Sequence, residues 1–236
     1  MTMMNSNMAR MLESASRHVK DGMIIGLGSG RTVAALLDTL KRMSSSIGVD
    51  LTSVRFIPTS LQIKIKAEEM GMSIGDESLI PMVDLVFDGA DQIDANLVMI
   101  KGGGGALLRE KVLIHAARKI IILADESKYV DRLTLPIPVE TLPYARVYVS
   151  TVLKGLGAEP HIRVNDRGYP IMTENGNIII DSLFNSIDDA HSLEQRLKCI
   201  PGVVEVGLFS KVADVYYKAM SNGDFEIIYG KGRITN

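Results

Sequence analysis

A chain of 236 residues is long enough to bury a sizeable core, either as one large domain or as two smaller ones. Its 26 basic and 28 acidic side chains leave a net charge near −2, which offers nucleic acid or an anionic membrane no electrostatic footprint. A single cysteine, Cys199, excludes an intramolecular disulfide framework and reads as a small buried hydrophobe. No stretch approaches about 18 apolar residues, and charges from Arg10 to Asp21 interrupt any leader-like core. The expectation is a cytoplasmic protein whose partners are small molecules or copies of itself.

Up to about residue 125 the pattern alternates between helix-period segments and short β-branched runs, as βαβ units on a parallel sheet require. Helices are predicted at Asn7–Lys20, Thr32–Met43, Leu61–Met70 and Gly105–Lys119. Between them Met23–Leu27, Val54–Ile57, Val83–Phe87, Leu97–Ile100 and Ile120–Ala124 read as buried strands. Prolines 136, 138 and 143 then break the texture and suggest a domain boundary. A helix at Tyr144–Leu156, strands at His161–Val164 and Ile171–Thr173, a turn at Asn175-Gly176 and a helix near Asp188–Leu197 follow. Asn-Gly is a strong hairpin signal because both residues tolerate positive φ. This half reads as a small α+β lid domain over residues 133–206. Val203–Leu208, Val212–Met220 and Phe225–Tyr229 are expected to return to the main sheet, giving a main domain of 1–132 and 207–236.

Three motifs carry chemistry. GLGSGRT, residues 26–32, sits where a strand gives way to a helix, so its backbone N–H groups and the positive helix end point toward an anion. Ser29 and Thr32 add hydroxyls suited to phosphate or sugar oxygens, although a tight strand-to-helix turn alone would also call for glycine. A dinucleotide site is disfavoured because Arg31 stands at the third glycine position and no acidic residue ends the next strand.

FDGADQID, residues 87–94, ends a buried strand in carboxylates at Asp88, Asp91 and Asp94, where open α/β sheets bind ligands. A lone aspartate usually caps a turn, but three together favour contact with sugar hydroxyls over a metal site, whose spacing they lack.

KGGGGALLREK, residues 101–111, is the most informative. Four successive glycines cost roughly 2–4 kcal/mol at about 0.5–1 each, so a purely structural account is weak. A side-chain-free loop at a helix start can instead wrap an anion or a developing oxyanion, with Lys101 supplying positive charge. The P-loop signature is absent. Glu110 follows on the helix, sharing a face with Ala106, Leu107, Leu113 and Ile114, while Arg109, Lys111, His115 and Arg118 are expected elsewhere. A poorly hydrated carboxyl group can serve as base and then acid; the plainer role is a stripe-edge glutamate reaching a lysine. Lys128, in the turn ADESK, ends a further strand. The four histidines show no ligand spacing.

Taken in order, GLGSGRT, IPTS with Gln62, DGADQID, KGGGGALLREK and DESK resemble the A-type ribose-5-phosphate isomerase family. LPYARVYVSTVLKGLGAEPHIR, TENGNIIID, IPGVVEVGLF and the ADV of 213–215 extend the resemblance over nearly the whole chain. It implies an α/β fold in which a Rossmann-like main domain with a mostly parallel sheet carries a smaller α+β, ferredoxin-like lid domain. It further implies interconversion of ribose 5-phosphate and ribulose 5-phosphate by a homodimer or homotetramer that needs no metal or other cofactor. By resemblance Glu110 is the proton-transferring base, Asp88 and Asp91 act in ring opening and hold sugar hydroxyls, and Lys101 lies beside the developing oxyanion. Ser29, Gly30, Arg31 and Thr32 form the first substrate loop, Gly89 and Ala90 accompany the aspartates, Gly102, Gly103 and Gly104 form the second loop, and Lys128 is a further substrate contact. Three departures stand out: Ser29 and Arg31 replace an inner threonine and serine, Gln92 replaces a glutamate, and Met8 and Ala9 occupy a region that often carries lysine, with Arg10 nearby. The rival class is a sugar-phosphate sensor that binds without turnover, but no basic helix-turn-helix segment precedes residue 23.

Overall fold

Short buried runs of β-branched residues and amphipathic helices resolve, in a computed structural model that describes residues 6–230, into two units. The first takes the chain up to Ala90, Arg109–Lys128 and the part from Ala213 on; the second takes Asp91–Leu108 and Tyr129–Val212.

In the first unit, β1 (Ile24–Leu27), β2 (Arg55–Pro58), β3 (Leu85–Asp88), β6 (Lys119–Asp125), β12 (Val215–Ala219) and β13 (Phe225–Tyr229) form one sheet in the order β13-β12-β6-β3-β1-β2. All pairings are parallel except β12 with β13. Period-two burial explains the layers. Ile25, Leu27, Phe56, Phe87, Ile121, Leu123 and Tyr217 share a core with Met11, Leu12 and Ala15 of α1 (Ser6–Ser16), Leu36 and Leu40 of α2 (Gly30–Ile47), and Ile63 of α3 (Leu61–Glu69). Alternate residues turn the other way: Gly26 leaves room for Val86 and for Leu113 of α4 (Leu107–Ala116), since a Cβ there would lie 2.6 Å from Val86 Cγ2 and 3.0 Å from Leu113 Cδ1. After β1 the chain moves to β2 on one side and then to β3 on the other, so the β1–β3 pair is a topological switch point, where open α/β sheets bind ligands.

In the second unit, β7 (Ile137–Thr141), α5 (Arg146–Gly155), β8 (Ala158–Ile162), β9 (Ile178–Phe184), α6 (Ala190–Lys198) and β10 (Val203–Val206) follow in β-α-β-β-α-β order. The sheet is antiparallel, β10-β7-β9-β8, with the connectivity of a ferredoxin-like unit. Ile137, Val139, Val149, Leu153, Ile180, Leu197 and Val206 build its core. A three-stranded antiparallel patch, β11-β5-β4, joins β4 (Gln92–Ile93), β5 (Met99–Ile100) and β11 (Leu208–Phe209).

Several expectations change: Ile171–Thr173 forms only an isolated bridge, Met172 with Ile178, and the proline-bearing run Ile137–Thr141, not expected as a strand, is β7. Leu97–Ile100 is not a strand of the parallel sheet: Leu97 has φ 65, and Ile100 pairs antiparallel with Leu208 and Gln92, so residues 91–108 go with the second unit. The run Val203–Leu208 likewise stays in the second unit as β10 and β11, and only β12 and β13 return to the main sheet. At Asn175-Gly176 only Gly176 has positive φ, at 79; Gly176 N–H and Asn177 C=O both bond to the backbone of Thr173, closing a three-residue loop in place of a two-residue one. Cys199 is exposed, because it caps α6 and the buried stripe of that helix ends at Leu197. Among the described residues no helix is long and apolar enough to cross a membrane.

Candidate active site

At the switch point the first unit gathers its polar residues on the carboxyl ends of parallel strands. Gly28 extends β1, its N–H donating to Phe87 C=O at 2.8 Å, and its missing side chain admits Asp88: a Cβ there would fall 1.9 Å from Asp88 Oδ1. Asp88 is 1% exposed, and its Oδ1 accepts the Gly89 N–H at 2.7 Å. Gly30 opens α2 with φ 85, and its N–H donates to Gln62 Oε1 at 3.3 Å. The helix begins two residues before the predicted Thr32, so Arg31 and Thr32 lie in its first turn, Arg31 exposed and Thr32 half-buried.

Glu110 stands in the first turn of α4 and is buried at 3% exposure, like its stripe neighbours Leu113 and Ile114. Ser29 Oγ donates to Glu110 Oε1 at 2.5 Å. Ser29 occupies the cap position of α2 without a side-chain capping bond; its hydroxyl, expected to serve phosphate or sugar oxygens, is directed to the carboxylate. Lys111, expected off the apolar face, is buried. It follows Leu107 by four residues and precedes Ile114 by three, so the helical period places it at the edge of the stripe, while Val112 faces outward. Lys128 ends the short 3₁₀ turn Glu126–Lys128 after β6, half-buried, on the same edge of the sheet.

The second unit carries the other residues. Asp91 Oδ2 accepts the Gly103 N–H at 2.8 Å, and a Cβ on Gly103 would crowd Asp91 Oδ1 at 2.8 Å. Lys101 is 3% exposed; its N–H donates to Gly207 C=O at 2.9 Å and its Nζ lies 5.6 Å from the Phe209 ring centroid, a cation–π distance. Gly102 needs its glycine, with φ 102 and a Cβ position 3.0 Å from Leu107 Cβ; Gly103 and Gly104 are exposed. Gln92 is a structural amide: its Oε1 accepts Thr134 N–H at 2.7 Å and Leu135 N–H at 3.0 Å, and its Nε2 donates to Thr134 Oγ1. Asp94 takes the Asn96 and Val98 N–H groups at 2.9 Å and so shapes the β4–β5 turn. Among the described residues no three His, Cys, Asp or Glu side chains are grouped to hold a metal ion.

The model of the family ribose 5-phosphate isomerase A (phosphoriboisomerase A) matches residues 55–223. The chain belongs to this family. A ribose-5-phosphate isomerase A of Prochlorococcus marinus is 36% identical over 225 residues, 94% of this chain and 96% of that protein. The ribose 5-phosphate isomerase A of Methanocaldococcus jannaschii superposes with a TM-score of 0.87 at 38% identity, covering 94% of this chain and 98% of that one. A D-ribose-5-phosphate isomerase in complex with phospho-erythronic acid superposes with a TM-score of 0.88 at 34% identity, covering 95% and 97%.

For a member of the ribose 5-phosphate isomerase A family, sequence reasoning assigned no role to Arg163 and Asp181. Arg163 donates from Nη1 to Gly102 C=O at 2.8 Å and Gly103 C=O at 3.0 Å, and pairs with Asp181 through Nε at 2.8 Å and Nη2 at 2.5 Å. No local pattern signals this, because the contact depends on the register of β8 against β9.

Proposed function

We propose that this chain interconverts ribose 5-phosphate and ribulose 5-phosphate through an enediolate, with Glu110 as the base. The observation that carries the reading is the placement of Glu110: buried in an apolar stripe, with Ser29 Oγ bonded to Oε1 beside the switch point of the sheet. Family membership supports it. The complex of a relative with phospho-erythronic acid supports it as well, because a planar anionic carboxylate mimics the enediolate.

In the forward direction the Glu110 carboxylate takes the C2 proton of the open-chain aldehyde. The C–H electron pair becomes the C1=C2 double bond, and the carbonyl pair moves to O1 as an oxyanion. Lys101 and the N–H groups of the glycine loop would stabilise that charge. Returning the same proton to C1, with transfer of the O2 proton to O1, leaves the C2 ketone. Asp88 and Asp91 would hold hydroxyls and aid ring opening. Ser29 to Thr32 and Lys128 would receive the rest of the sugar phosphate, with the α2 N-terminus suited to an anion. A homodimer or homotetramer is the accompanying proposal, supported by the exposed apolar side chains Leu142, Tyr144, Val147 and Tyr148.

The test is to incubate chelator-treated protein with ribose 5-phosphate and follow ribulose 5-phosphate. Appearance of the ketose is expected. Calorimetric binding of the sugar phosphate with no ketose formed would replace the isomerase by the sensor.

A further inference from the structure

A loop of four glycines has little to hold it in one conformation, since each glycine gives up more backbone freedom on ordering than any other residue. One turn bond, Gly105 N–H to Gly102 C=O at 3.0 Å, closes the loop on itself, and further contacts on its peptide planes come from side chains outside it. We propose that Arg163, held by Asp181, is a positioning residue that aims and polarises the N–H groups of Gly103 and Gly104.

Arg163 continues from β8 and is fixed at both backbone ends: its N–H donates to Ile179 C=O at 2.8 Å, and its C=O accepts the Ile171 N–H at 3.0 Å. Its side chain is 15% exposed and that of Asp181 26%, so the pair is largely shielded from water. The Asp181 carboxylate takes Nε and Nη2 in a two-point fork, which fixes the guanidinium plane and leaves Nη1 directed at the loop. There it donates to both the Gly102 and the Gly103 carbonyl oxygens.

Among the described residues every peptide bond is trans, so the N–H of each peptide unit points opposite its C=O. With Gly102 C=O turned to Arg163, the Gly103 N–H points away from it, and that N–H is the one bonded to Asp91 Oδ2. With Gly103 C=O turned the same way, the Gly104 N–H is aimed to the same side as Asp91. A cation on a carbonyl oxygen also polarises its amide and makes the N–H a stronger donor. One side chain thus orients a carboxylate through the first peptide and presents an N–H for an oxyanion through the second. Lysine could meet one carbonyl, but it lacks the planar fork that ties two carbonyls and a carboxylate into one rigid group.

The inference rests on the reading that the glycine loop serves a developing oxyanion. The experiment compares wild type with Arg163→Met, Arg163→Lys and Asp181→Asn in kcat, KM for ribose 5-phosphate, inhibition by phospho-erythronic acid, and thermal melting. Arg163→Met should lose about ten- to a hundredfold in kcat with little change in KM, as small misplacement of catalytic groups does. Its affinity for phospho-erythronic acid should fall in step with kcat, whereas Arg163→Lys and Asp181→Asn, which keep one part of the clamp, should fall in between. A merely structural role would change substrate and analogue binding alike. The inference is overturned if folded variants keep wild-type kcat and analogue affinity, or if kcat, KM and analogue affinity worsen together only as far as melting drops. An active wild type abolished by Glu110→Gln, with a normal Arg163→Met, would sink this inference alone; an inactive wild type would sink the isomerase reading and this inference with it.

Discussion

Ser29 Oγ donates a 2.5 Å hydrogen bond to Glu110 Oε1, tying the loop after β1 to the first turn of α4 across 81 positions of sequence. A hydroxyl bonded to a carboxylate is a charge-assisted contact that fixes the rotamer of the acid and withdraws density from one oxygen. Glu110→Gln keeps the shape and removes the base, so kcat should fall at least about a hundredfold. Ser29→Ala removes this one bond to the carboxylate and should cost about tenfold in kcat, the worth of one hydrogen bond to a charged group. Steady-state assays of both variants check the order; a Ser29→Ala enzyme slower than Glu110→Gln would put the base elsewhere.

Gly28→Ala tests the closest backbone approach in the first unit. The new methyl would fall 1.9 Å from Asp88 Oδ1 and 2.1 Å from its Cγ, so the carboxylate must swing away. The expected result is a loss of about tenfold or more in kcat/KM from the displaced acid, with a modest drop in melting temperature from overpacking of about 1–3 kcal/mol. Unchanged turnover would show that Asp88 takes no part in the reaction.

Lys101 is buried, its ammonium lying 5.6 Å from the centre of the Phe209 ring. Lys101→Met keeps the length and the apolar stem but removes the charge. If that charge meets the oxyanion only as it forms, kcat should drop about a hundredfold while KM changes little. A rise confined to KM would make Lys101 a ground-state binding group.

Glu140 of β7 is fully buried, and its Oε1 accepts Thr173 Oγ1 at 2.8 Å, Asn175 Nδ2 at 3.0 Å and Asn177 Nδ2 at 2.9 Å. It thereby anchors the Asn175-Gly176 turn to the sheet. Glu140→Leu leaves the buried Thr173 and Asn177 donors without this acceptor, at about 1–3 kcal/mol each, so a loss of roughly 2–6 kcal/mol is expected. Urea denaturation would measure it; a midpoint within experimental error of wild type would contradict the anchoring role.

His18 links stability to pH. Burial first, and the Lys119 ammonium second, hold its pKa below the ordinary 6.5. Lys119 Nζ lies 3.3 Å from Nδ1 and Tyr217 Oη 3.0 Å from Nε2, a setting for the neutral ring that accepts from lysine and donates to tyrosine. Because the folded-state pKa is depressed, the stabilisation is fully present above pH 6.5 and is lost as pH falls from there through the folded-state value. Melting temperature should therefore decline on acidification below that point, and less steeply for His18→Gln. Parallel curves for the two proteins would contradict this account.

Periodic burial made most of the first unit legible in the sequence. Val86 and Phe87 behave as residues of a strand covered on both faces, and the Leu107, Glu110, Leu113, Ile114 spacing marks one helix stripe. The candidate residues were legible too, because glycines and carboxylates at strand ends are costly without a use. Leu97–Ile100 misled because a short apolar run looks the same in either sheet; its partner, Leu208, lies about a hundred residues away in a pairing no local signal records. Arg163 escaped for the same reason, since its contacts with Gly102, Gly103 and Asp181 depend on strand register.

By itself the chain determined where the helices and buried strands of the first unit run and which loops carry glycine, carboxylate and lysine, because side-chain period and backbone freedom are local properties; β7, a buried strand that contains Pro138, was hidden by prolines that read as a break in the chain there. Only the tertiary structure decided that the Ser29 hydroxyl turns to Glu110, that Gly28 makes room for Asp88, that residues 91–108 join the second unit, and that Arg163 clamps the glycine loop. Those are directional contacts between distant segments, and their geometry exists only once sheet order and register have closed the intervening chain.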